Sequence, residues 1–287
     1  MSKIVFLNGE YMEADEAKVS IFDRGYLFGD GVYEVVPVIG GRMIDKEPFL
    51  ERFERSLAEL ELEWPMPKDE FLDMFQELIE RNNIKEGGIY TQVTRGVHSR
   101  VFDYPKGIPT TVTAFTFEKN IIDSPDAKTG VKVAIVEDIR WKRRDIKSIA
   151  LLGQCMAKEQ ASKQGAYEGW MTEFGFITEG VTSTAYIVKD GVIITRALSN
   201  SVLPGIRRKL LLELAIDNGI KVKEKAFTPQ EAYEADEAFL SSATTLVYPI
   251  IEIDGKPIGD GKPGKITKLM REIYIKSALE IAGIESK

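Results

Sequence analysis

Short runs of β-branched and aromatic residues alternate with helical repeats along the whole chain, and this alternation most narrows the folds open to the sequence. Residues 32–39 form one extended run, which ends at Gly40-Gly41 and leads into residues 42–44. Apolar residues then recur every three or four positions in two stretches that are typical of amphipathic helices: Phe49, Phe53, Leu57 and Leu60, then Phe71, Met74, Phe75, Leu78 and Ile79. We therefore predict a mixed α/β fold of the α+β class.

Turn residues and periodicity place the remaining elements. Asn8-Gly9 separates the extended runs 3–7 and 10–13, and Lys189-Asp190-Gly191 separates 185–189 from 192–195, so both pairs predict hairpins. Further strands are predicted at residues 90–95, 110–117, 131–136, 168–172 and 237–241. Further helices are predicted at residues 151–164, 206–218 and 266–281.

A polar stretch divides the chain into two parts. Residues 118–128 carry Asn120, Asp123, Ser124 and Pro125 and are the expected linker. A length of 287 residues suits two domains. We predict a small N-terminal α/β domain, residues 1–120, and a larger C-terminal domain, residues 121–287.

Composition excludes several classes of protein. Lysine and arginine number 38 against 45 aspartates and glutamates, and the resulting net charge of −7 argues against a general nucleic-acid binder. A single cysteine excludes an internal disulfide framework, and with no signal-peptide pattern at the N-terminus it favours the reducing cytoplasm. The apolar runs are too short to cross a bilayer, so no membrane association is expected.

Residue types also limit the chemistry. One histidine, His98, and one cysteine, Cys155, cannot form a zinc site of such ligands, and no metal is expected. The sequence has no GxGxxG or GxxxxGKS motif for a nucleotide and no GxSxG turn for a serine nucleophile. Any catalysis therefore falls to lysine, arginine, tyrosine and carboxylates. We expect Cys155 to be a buried packing residue.

Residues 137–148, which we call the basic stretch, have the sequence EDIRWKRRDIKS in an otherwise acidic chain. One interpretation is a solvated basic face. The apolar Ile139, Trp141 and Ile146 instead indicate that part of the stretch enters a core. A partly desolvated lysine near other cations loses its proton more readily, which supplies a neutral amine for a Schiff base. Lys147, at the end of the stretch, fits this description.

Three further segments carry candidate ligand groups. Glu179, before Gly180, is either a turn residue or the fixed carboxylate that keeps a pyridine nitrogen protonated. Arg207 and Arg208 place two positive charges in the first turn of a helix. The positive end of the helix dipole disfavours cations there unless an anion is bound. The backbone amides of Ile206 and Arg207 would hold a phosphate, although surface arginines at a helix start explain the same pattern. The third segment, with Ser241, Ser242, Thr244 and Thr245, either adds phosphate donors or is a Ser/Thr-rich loop.

In order and spacing, these segments resemble the fold-type IV pyridoxal-phosphate enzymes along essentially the whole chain. The shared segments are DRGYLFGDGVYE at residues 23–34, Arg52, Asp145-Ile146-Lys147, Thr178-Glu179-Gly180 and Pro204-Gly205-Ile206. Within that group the D-amino acid aminotransferases are the most similar, because residues 136–141 and 251–256 also resemble theirs.

The resemblance implies an enzyme with a small α/β domain and a larger barrel-like domain that carries the lysine. Pyridoxal 5'-phosphate would bind at the domain interface, and the protein would be a homodimer. Lys147 would bond covalently to the cofactor and move the substrate's α-proton, while Glu179 would pair with the pyridine nitrogen. The residues that would hold the phosphate are Arg52, Ile206, Arg207 and Thr244.

The activity implied is exchange of the amino group between D-amino acids and 2-oxo acids. Tyr33 and Arg100 would bind the substrate carboxylate, the arginine reaching across from the partner subunit. Phe102 stands where those enzymes have a histidine two positions after this arginine, and Thr184 stands in place of their asparagine. His98 is then either a replacement donor for the carboxylate or an exposed loop residue, and Arg95 is an additional cation.

The missing histidine leaves the choice between D- and L-substrates open. The other enzymes that share the framework are branched-chain L-amino acid aminotransferases, (R)-amine transaminases and 4-amino-4-deoxychorismate lyases. An alternative of another kind is a non-catalytic anion-binding module that docks an acidic partner through the basic stretch.

Overall fold

The computed structural model describes residues 3–284. In chain order its elements are β1 (Ile4–Leu7), β2 (Glu10–Glu13), α1 (Arg24–Phe28), β3 (Gly31–Ile39), β4 (Arg42–Met43), α2 (Lys46–Glu59), α3 (Lys68–Arg81), β5 (Glu86–Thr94), β6 (Thr111–Glu118), α4 (Pro125–Thr129), β7 (Val131–Glu137), α5 (Leu152–Lys163), β8 (Glu168–Glu173), β9 (Phe176–Gly180), β10 (Thr184–Lys189), β11 (Val192–Thr195), α6 (Ile206–Asp217), β12 (Lys221–Glu224), α7 (Pro229–Tyr233), β13 (Glu237–Ser242), β14 (Leu246–Ile253), β15 (Lys256–Pro257) and α8 (Lys265–Ala282).

These residues form two compact units. Unit 1 contains residues 3–120, Ile146–Ala150 and 278–284, and unit 2 contains Ile121–Asp145 and Leu151–Ser277. The units differ from the expected domains, 1–120 and 121–287, by the segment Ile146–Ala150 and by the end of the chain; the division into domains itself stays a prediction. The expected linker, residues 118–128, is partly helical, because Ser124-Pro125 begins α4.

Unit 1 is built on a six-stranded antiparallel sheet within the described residues, in the order β2-β1-β6-β5-β3-β4. The predicted first hairpin is confirmed: β1 pairs with β2, and Asn8 and Gly9 both take positive φ, 49° and 98°, as a tight hairpin turn requires. The longest pairing joins β3 to β5 from Gly31 opposite Thr94 to Ile39 opposite Glu86. This pairing fixes the direction of every β3 side chain.

Helices α2 and α3 bury an aromatic cluster. The rings of Phe49, Phe53, Phe71 and Phe75 are at most 1% exposed, and Phe71 lies 4.9 Å from Phe75 and 5.4 Å from Phe53, centroid to centroid. The three- and four-residue spacing of the sequence is thus used to bury one face of each helix.

Unit 2 is built on a larger mixed sheet, nine-stranded within the described residues. Its strand order is β12-β11-β10-β13-β14-β7-β8-β9, with β15 paired to β14. Strands β7 and β8 run parallel, as do β14 and β7, whereas β10 and β13 are antiparallel. Because β9 returns beside β10, the sheet curls into a partly closed barrel. Both units contain helices as well as strands, which confirms the predicted α+β class.

Four strands of unit 2, β9, β12, β14 and β15, were not expected from the sequence. Strand β14 contains Pro249, which lacks a backbone donor and weakens the strand pattern; its register with β7 begins at Ile250 opposite Val131. Strand β12 is charged and lies at the sheet edge, where alternating lysines mask an extended segment.

The expectation for Cys155 was wrong. The side chain is exposed and its thiol is free. Helix α5 buries Ala157 and Ala161, and a residue two positions before Ala157 lies about 200° away around the helix axis, on the solvent side.

Across residues 3–284, no α-helix combines the length and the hydropathy that a bilayer crossing requires.

We expect Phe71→Ala to lower the free energy of unfolding by about 3–5 kcal/mol, because it leaves a cavity among stacked rings. Phe174→Ala is the matched control, since this ring is 90% exposed, and it should change the unfolding free energy by less than about 0.5 kcal/mol. Guanidinium denaturation of both variants measures the difference. Equal losses would show that the α2–α3 cluster does not stabilise the fold.

Candidate active site

Lys147 lies on a short segment, Ile146–Ala150, that is hydrogen-bonded to the start of β3. The Tyr33 amide donates to the Lys147 carbonyl at 3.0 Å, the Ile149 amide donates to the Gly31 carbonyl at 3.1 Å, and Ser148 bridges Val32. The segment therefore behaves as an extra strand beside β3, and its geometry fixes where the Lys147 side chain begins.

The Lys147 amine has no polar partner among the residues that the structure describes. Its contact is the face of the Tyr33 ring, with Nζ 4.2 Å from the ring centroid. The Lys147 amide donates to the Ser56 hydroxyl at 3.3 Å, which ties the same residue to α2. The backbone of Lys147 is thus held at several points, whereas its amine is left available for chemistry.

Arg52 lies on α2 one turn before Ser56 and forms a two-point ion pair with Glu34. Arg52 Nε donates to Glu34 Oε1 at 2.7 Å and Nη2 to Oε2 at 2.6 Å, and the Glu34 side chain is fully buried. Glu34 follows Tyr33 on β3. Unit 1 therefore brings together the predicted residues Lys147, Tyr33 and Arg52.

In unit 2, Glu179 is a buried carboxylate at the end of β9. Its Oε1 accepts from Arg140 Nη1 at 2.6 Å, and both oxygens accept from the Leu203 amide, at 3.1 and 3.3 Å. Burial raises the pKa of the Glu179 carboxyl, and the Arg140 guanidinium opposes this rise. These bonds fix the direction of the Glu179 carboxylate.

The pair belongs to a longer chain of charges. Asp138 accepts two bonds from Arg140, at 2.9 and 2.7 Å, and one from the Thr178 hydroxyl at 2.6 Å. Burial disfavours ionisation of Asp138, yet these hydrogen bonds hold the pKa of its carboxyl below the ordinary value. Arg144 continues the chain to Glu173, with bonds of 2.7 and 2.8 Å.

The basic stretch is therefore not a solvated face throughout. The Arg140 and Arg144 side chains are 5% and 3% exposed and are neutralised by Asp138, just after β7, and by carboxylates on β8 and β9. Lys142 is exposed, as the solvated interpretation expects. Sequence reasoning missed Arg140 as the partner of Glu179 and Asp138 as the second partner of Arg140. Their signal was a carboxylate and a guanidinium two positions apart beside the apolar Ile139.

The start of α6 has the features of an anion site. No side chain caps its N-terminus, its first turn contains no acidic residue, and Arg207 and Arg208 are both buried there. A Cβ at Gly205 would lie 2.8 Å from the Thr184 hydroxyl oxygen, so the close approach requires glycine. Positive charge and exposed amide donors at a helix start favour a bound anion.

The same region of unit 2 includes the end of β13. Thr184 lies opposite Ser241 in the β10–β13 register, and its hydroxyl faces Gly205. The hydroxyl segment that contains Thr244 follows directly after β13, with Ser242 and Thr245 hydroxyls 2.9 Å apart. Unit 2 thus places the predicted residues Ile206, Arg207 and Thr244 around one end of its sheet. Leu203, three residues before α6, donates its amide to Glu179 and so connects this carboxylate to the start of the helix.

Arg100 and His98 lie on the loop after β5. Arg100 is exposed and contacts the rings of Phe28 and Phe102, and the His98 ring contacts Ser99. Among the described residues of unit 1, no hydrogen bond or ion pair joins either side chain to Tyr33 or Lys147. Arg95, the additional cation considered for the carboxylate, is buried and bonded to Asp30 at 2.8 and 3.2 Å.

Comparison with known proteins gives the family. The model of the class IV amino-transferases matches residues 31–253. The D-alanine aminotransferase of Staphylococcus haemolyticus is 42% identical over 275 residues, which cover 95% of this chain and 96% of that protein. The D-alanine aminotransferase of Bacillus licheniformis is 40% identical over 92% of this chain and 93% of its own.

Solved structures agree on the fold. The branched-chain amino acid aminotransferase of Escherichia coli superposes with a TM-score of 0.91 at 23% identity, over 100% of this chain and 97% of that one. The branched-chain aminotransferase of Thermoproteus uzoniensis, determined with norvaline, gives a TM-score of 0.89 at 27% identity, over 98% and 96%. These neighbours confirm the fold-type IV architecture, and with the family match and the nearly full-length relatives they establish that this chain belongs to the class IV aminotransferases.

Proposed function

We propose that this aminotransferase uses pyridoxal 5'-phosphate to exchange the amino group between a D-amino acid and a 2-oxo acid, in two half-reactions of a ping-pong cycle. The observation that carries the proposal is the Lys147 amine, which is held at the edge of β3 with no ion pair or hydrogen bond among the described residues. A lysine in this state is suited to covalent catalysis. The D-alanine aminotransferase relatives support the choice of substrate.

The residues present fit the cofactor. The uncapped start of α6, with Gly205 against Thr184, suits a phosphate, and Ile206, Arg207 and Thr244 would hold it. Arg52 would add a guanidinium to the same group. Lys147 would bond to the aldehyde, and Glu179 is the buried carboxylate suited to a pyridine nitrogen.

When bound, the cofactor withdraws electrons from the substrate's α-carbon. This chain's own residues do the rest. The Lys147 amine would accept the α-proton of the substrate and donate it again, as a general base and then a general acid. Arg140 keeps the Glu179 carboxylate pointed in one direction through its 2.6 Å bond, so the acid does not need to reorient during the reaction.

The substrate's carboxylate would bind to Tyr33 and Arg100, with His98 as a further donor. Arg100 is exposed on its loop, which is consistent with a role in the active site of a partner subunit. The Phe102 side chain provides no hydrogen-bond donor, so the binding of the carboxylate would depend on the guanidinium, the tyrosine hydroxyl and His98.

We propose a homodimer that works in the cytoplasm. Ile21, Phe22 and Tyr26, beside the Arg100 loop, are 68%, 52% and 73% exposed, and apolar side chains clustered in this way favour an interface with a second copy. The exposed, free thiol of Cys155 suits a reducing compartment. Sedimentation velocity, which distinguishes 32.2 kDa from twice that mass, measures the assembly.

Borohydride reduction with pyridoxal phosphate should label Lys147, and Lys147→Ala should lose both the label and the cofactor's bound absorption band. The reason is that reduction makes a lysine–aldehyde bond permanent. Lys142→Ala, an exposed lysine in the same stretch, is the matched control and should keep both signals. Peptide mapping locates the label, and a label on any other lysine would refute the assignment.

We expect Glu179→Gln to reduce kcat by about 100-fold or more, because an amide cannot hold the ring nitrogen protonated. The amide oxygen still accepts from Arg140, so the fold should persist, as circular dichroism would report. Glu173→Gln, at the far end of the same charge chain, should retain kcat within a few-fold. If the two variants lose activity equally, Glu179 acts through stability alone.

D-alanine should serve as amino donor to 2-oxoglutarate, and L-alanine should not exceed the rate without donor. Arg100→Ala should raise the KM for D-alanine by about tenfold or more, since a charged hydrogen bond is lost, while cofactor loading stays unchanged. A coupled assay of pyruvate measures the rate with each donor and the KM, and the cofactor's bound absorption band measures the loading. Preference for branched-chain L-donors, or equal loss of cofactor and substrate binding, would contradict the proposal.

A further inference from the structure

Arg100 is held by aromatic rings. Its guanidinium carbon lies 5.5 Å from the centroid of Phe28 and 5.5 Å from that of Phe102, and these rings lie 5.5 Å from each other. Both distances are within the range of about 6 Å in which a cation is attracted to a ring face. Arg100 forms no ion pair with any residue in the range 3–284, so none of these residues neutralises its positive charge.

Arg24 ties the loop to the motif of residues 23–34. Its Nη1 donates to the Val101 carbonyl at 2.6 Å, one residue after Arg100, and its Nε donates to Asp30 at 2.7 Å. Its guanidinium carbon also lies 4.7 Å from the Phe28 centroid. The Arg24 side chain is 3% exposed, so this buried fork fixes both the loop backbone and one of the two rings.

The flanks of the loop are tied to the same motif. Asp30 also accepts from Arg95, whose guanidinium carbon lies 3.6 Å from the Tyr104 ring centroid. Before Arg100, the His98 amide donates to the Phe22 carbonyl at 3.2 Å. The loop backbone is therefore bonded on both sides of Arg100, at His98 and at Val101. Asp30 in turn accepts hydrogen bonds from Arg24 and Arg95.

We propose that Phe28 and Phe102 together hold the Arg100 guanidinium against their rings, and that Arg24 positions this arrangement, so that Arg100 presents an uncompensated charge to the substrate carboxylate. The proposal rests on the carboxylate role of Arg100 given under the proposed function. Neutral rings orient a guanidinium without neutralising it, whereas a carboxylate partner would compete with the substrate. Phe102 thus becomes a specificity-determining residue for anionic substrates.

The test compares ring-keeping and ring-removing variants at position 102. Phe102→Leu should raise the KM for D-alanine by about three- to fivefold, the equivalent of one exposed cation–ring contact, with kcat nearly unchanged. Phe102→Tyr should keep the wild-type KM. Because the ring is 77% exposed, neither change should unfold the protein, and sedimentation should give an unchanged mass.

Arg24→Lys is the second variant, since lysine keeps the charge but cannot bond Asp30 and the Val101 carbonyl with one planar fork. It should raise the KM for D-alanine at least as much as Phe102→Leu does. The turnover of a primary amine that lacks a carboxylate should be unchanged in both variants. A general structural defect would lower that turnover too, and this result would overturn the proposal.

Arg100→Ala measured in parallel separates the two proposals. If Arg100→Ala raises the KM but Phe102→Leu and Arg24→Lys do not, the positioning role is refuted and the carboxylate role survives. If Arg100→Ala leaves the KM unchanged, the carboxylate role is wrong and the positioning role falls with it.

Discussion

The backbone pairing between β3 and the segment Ile146–Ala150 is the contact on which the candidate site of unit 1 depends. Two hydrogen bonds, at 3.0 and 3.1 Å, set the start of the Lys147 side chain relative to Tyr33. Because backbone bonds specify position without using a side chain, the amine stays uncommitted. Helix α2 reinforces the same point through Ser56 and brings Arg52 to Glu34.

Unit 2 keeps the Glu179 carboxylate buried and fixed in direction. The alternation of Glu179, Arg140, Asp138, Arg144 and Glu173 gives each buried charge an opposite neighbour. Removing Arg140 would leave the Glu179 carboxylate without its guanidinium partner in a medium of low dielectric constant, so the inner members of the network depend on one another. This cooperation explains why several carboxylates and arginines of the basic stretch are internal.

Sequence patterns predicted the regular elements well where periodicity was strong, as in α2, α3 and the β1–β2 hairpin. They failed where the chain broke a local rule: β14 contains Pro249, and α1 contains Gly25, whose Cβ would lie 2.3 Å from the Thr94 methyl carbon. Arg52, Lys147 and Glu179 were singled out from their residue types and from the family resemblance. Glu34, which pairs with Arg52, and Arg140, which pairs with Glu179, were not, because pairings between residues 18 and 39 positions apart leave no local pattern.

The ring-held Arg100 has a consequence for the conditions in which this aminotransferase works. Its charge is exposed and therefore sits in a medium close to water, where dissolved ions shield attraction over about 8–10 Å at physiological ionic strength. Under the proposed role of Arg100, capture of an anionic substrate would be sensitive to salt, whereas the buried contacts around Glu179 would be screened much less. Ionic strength would then act on the binding of the substrate more than on the chemical step.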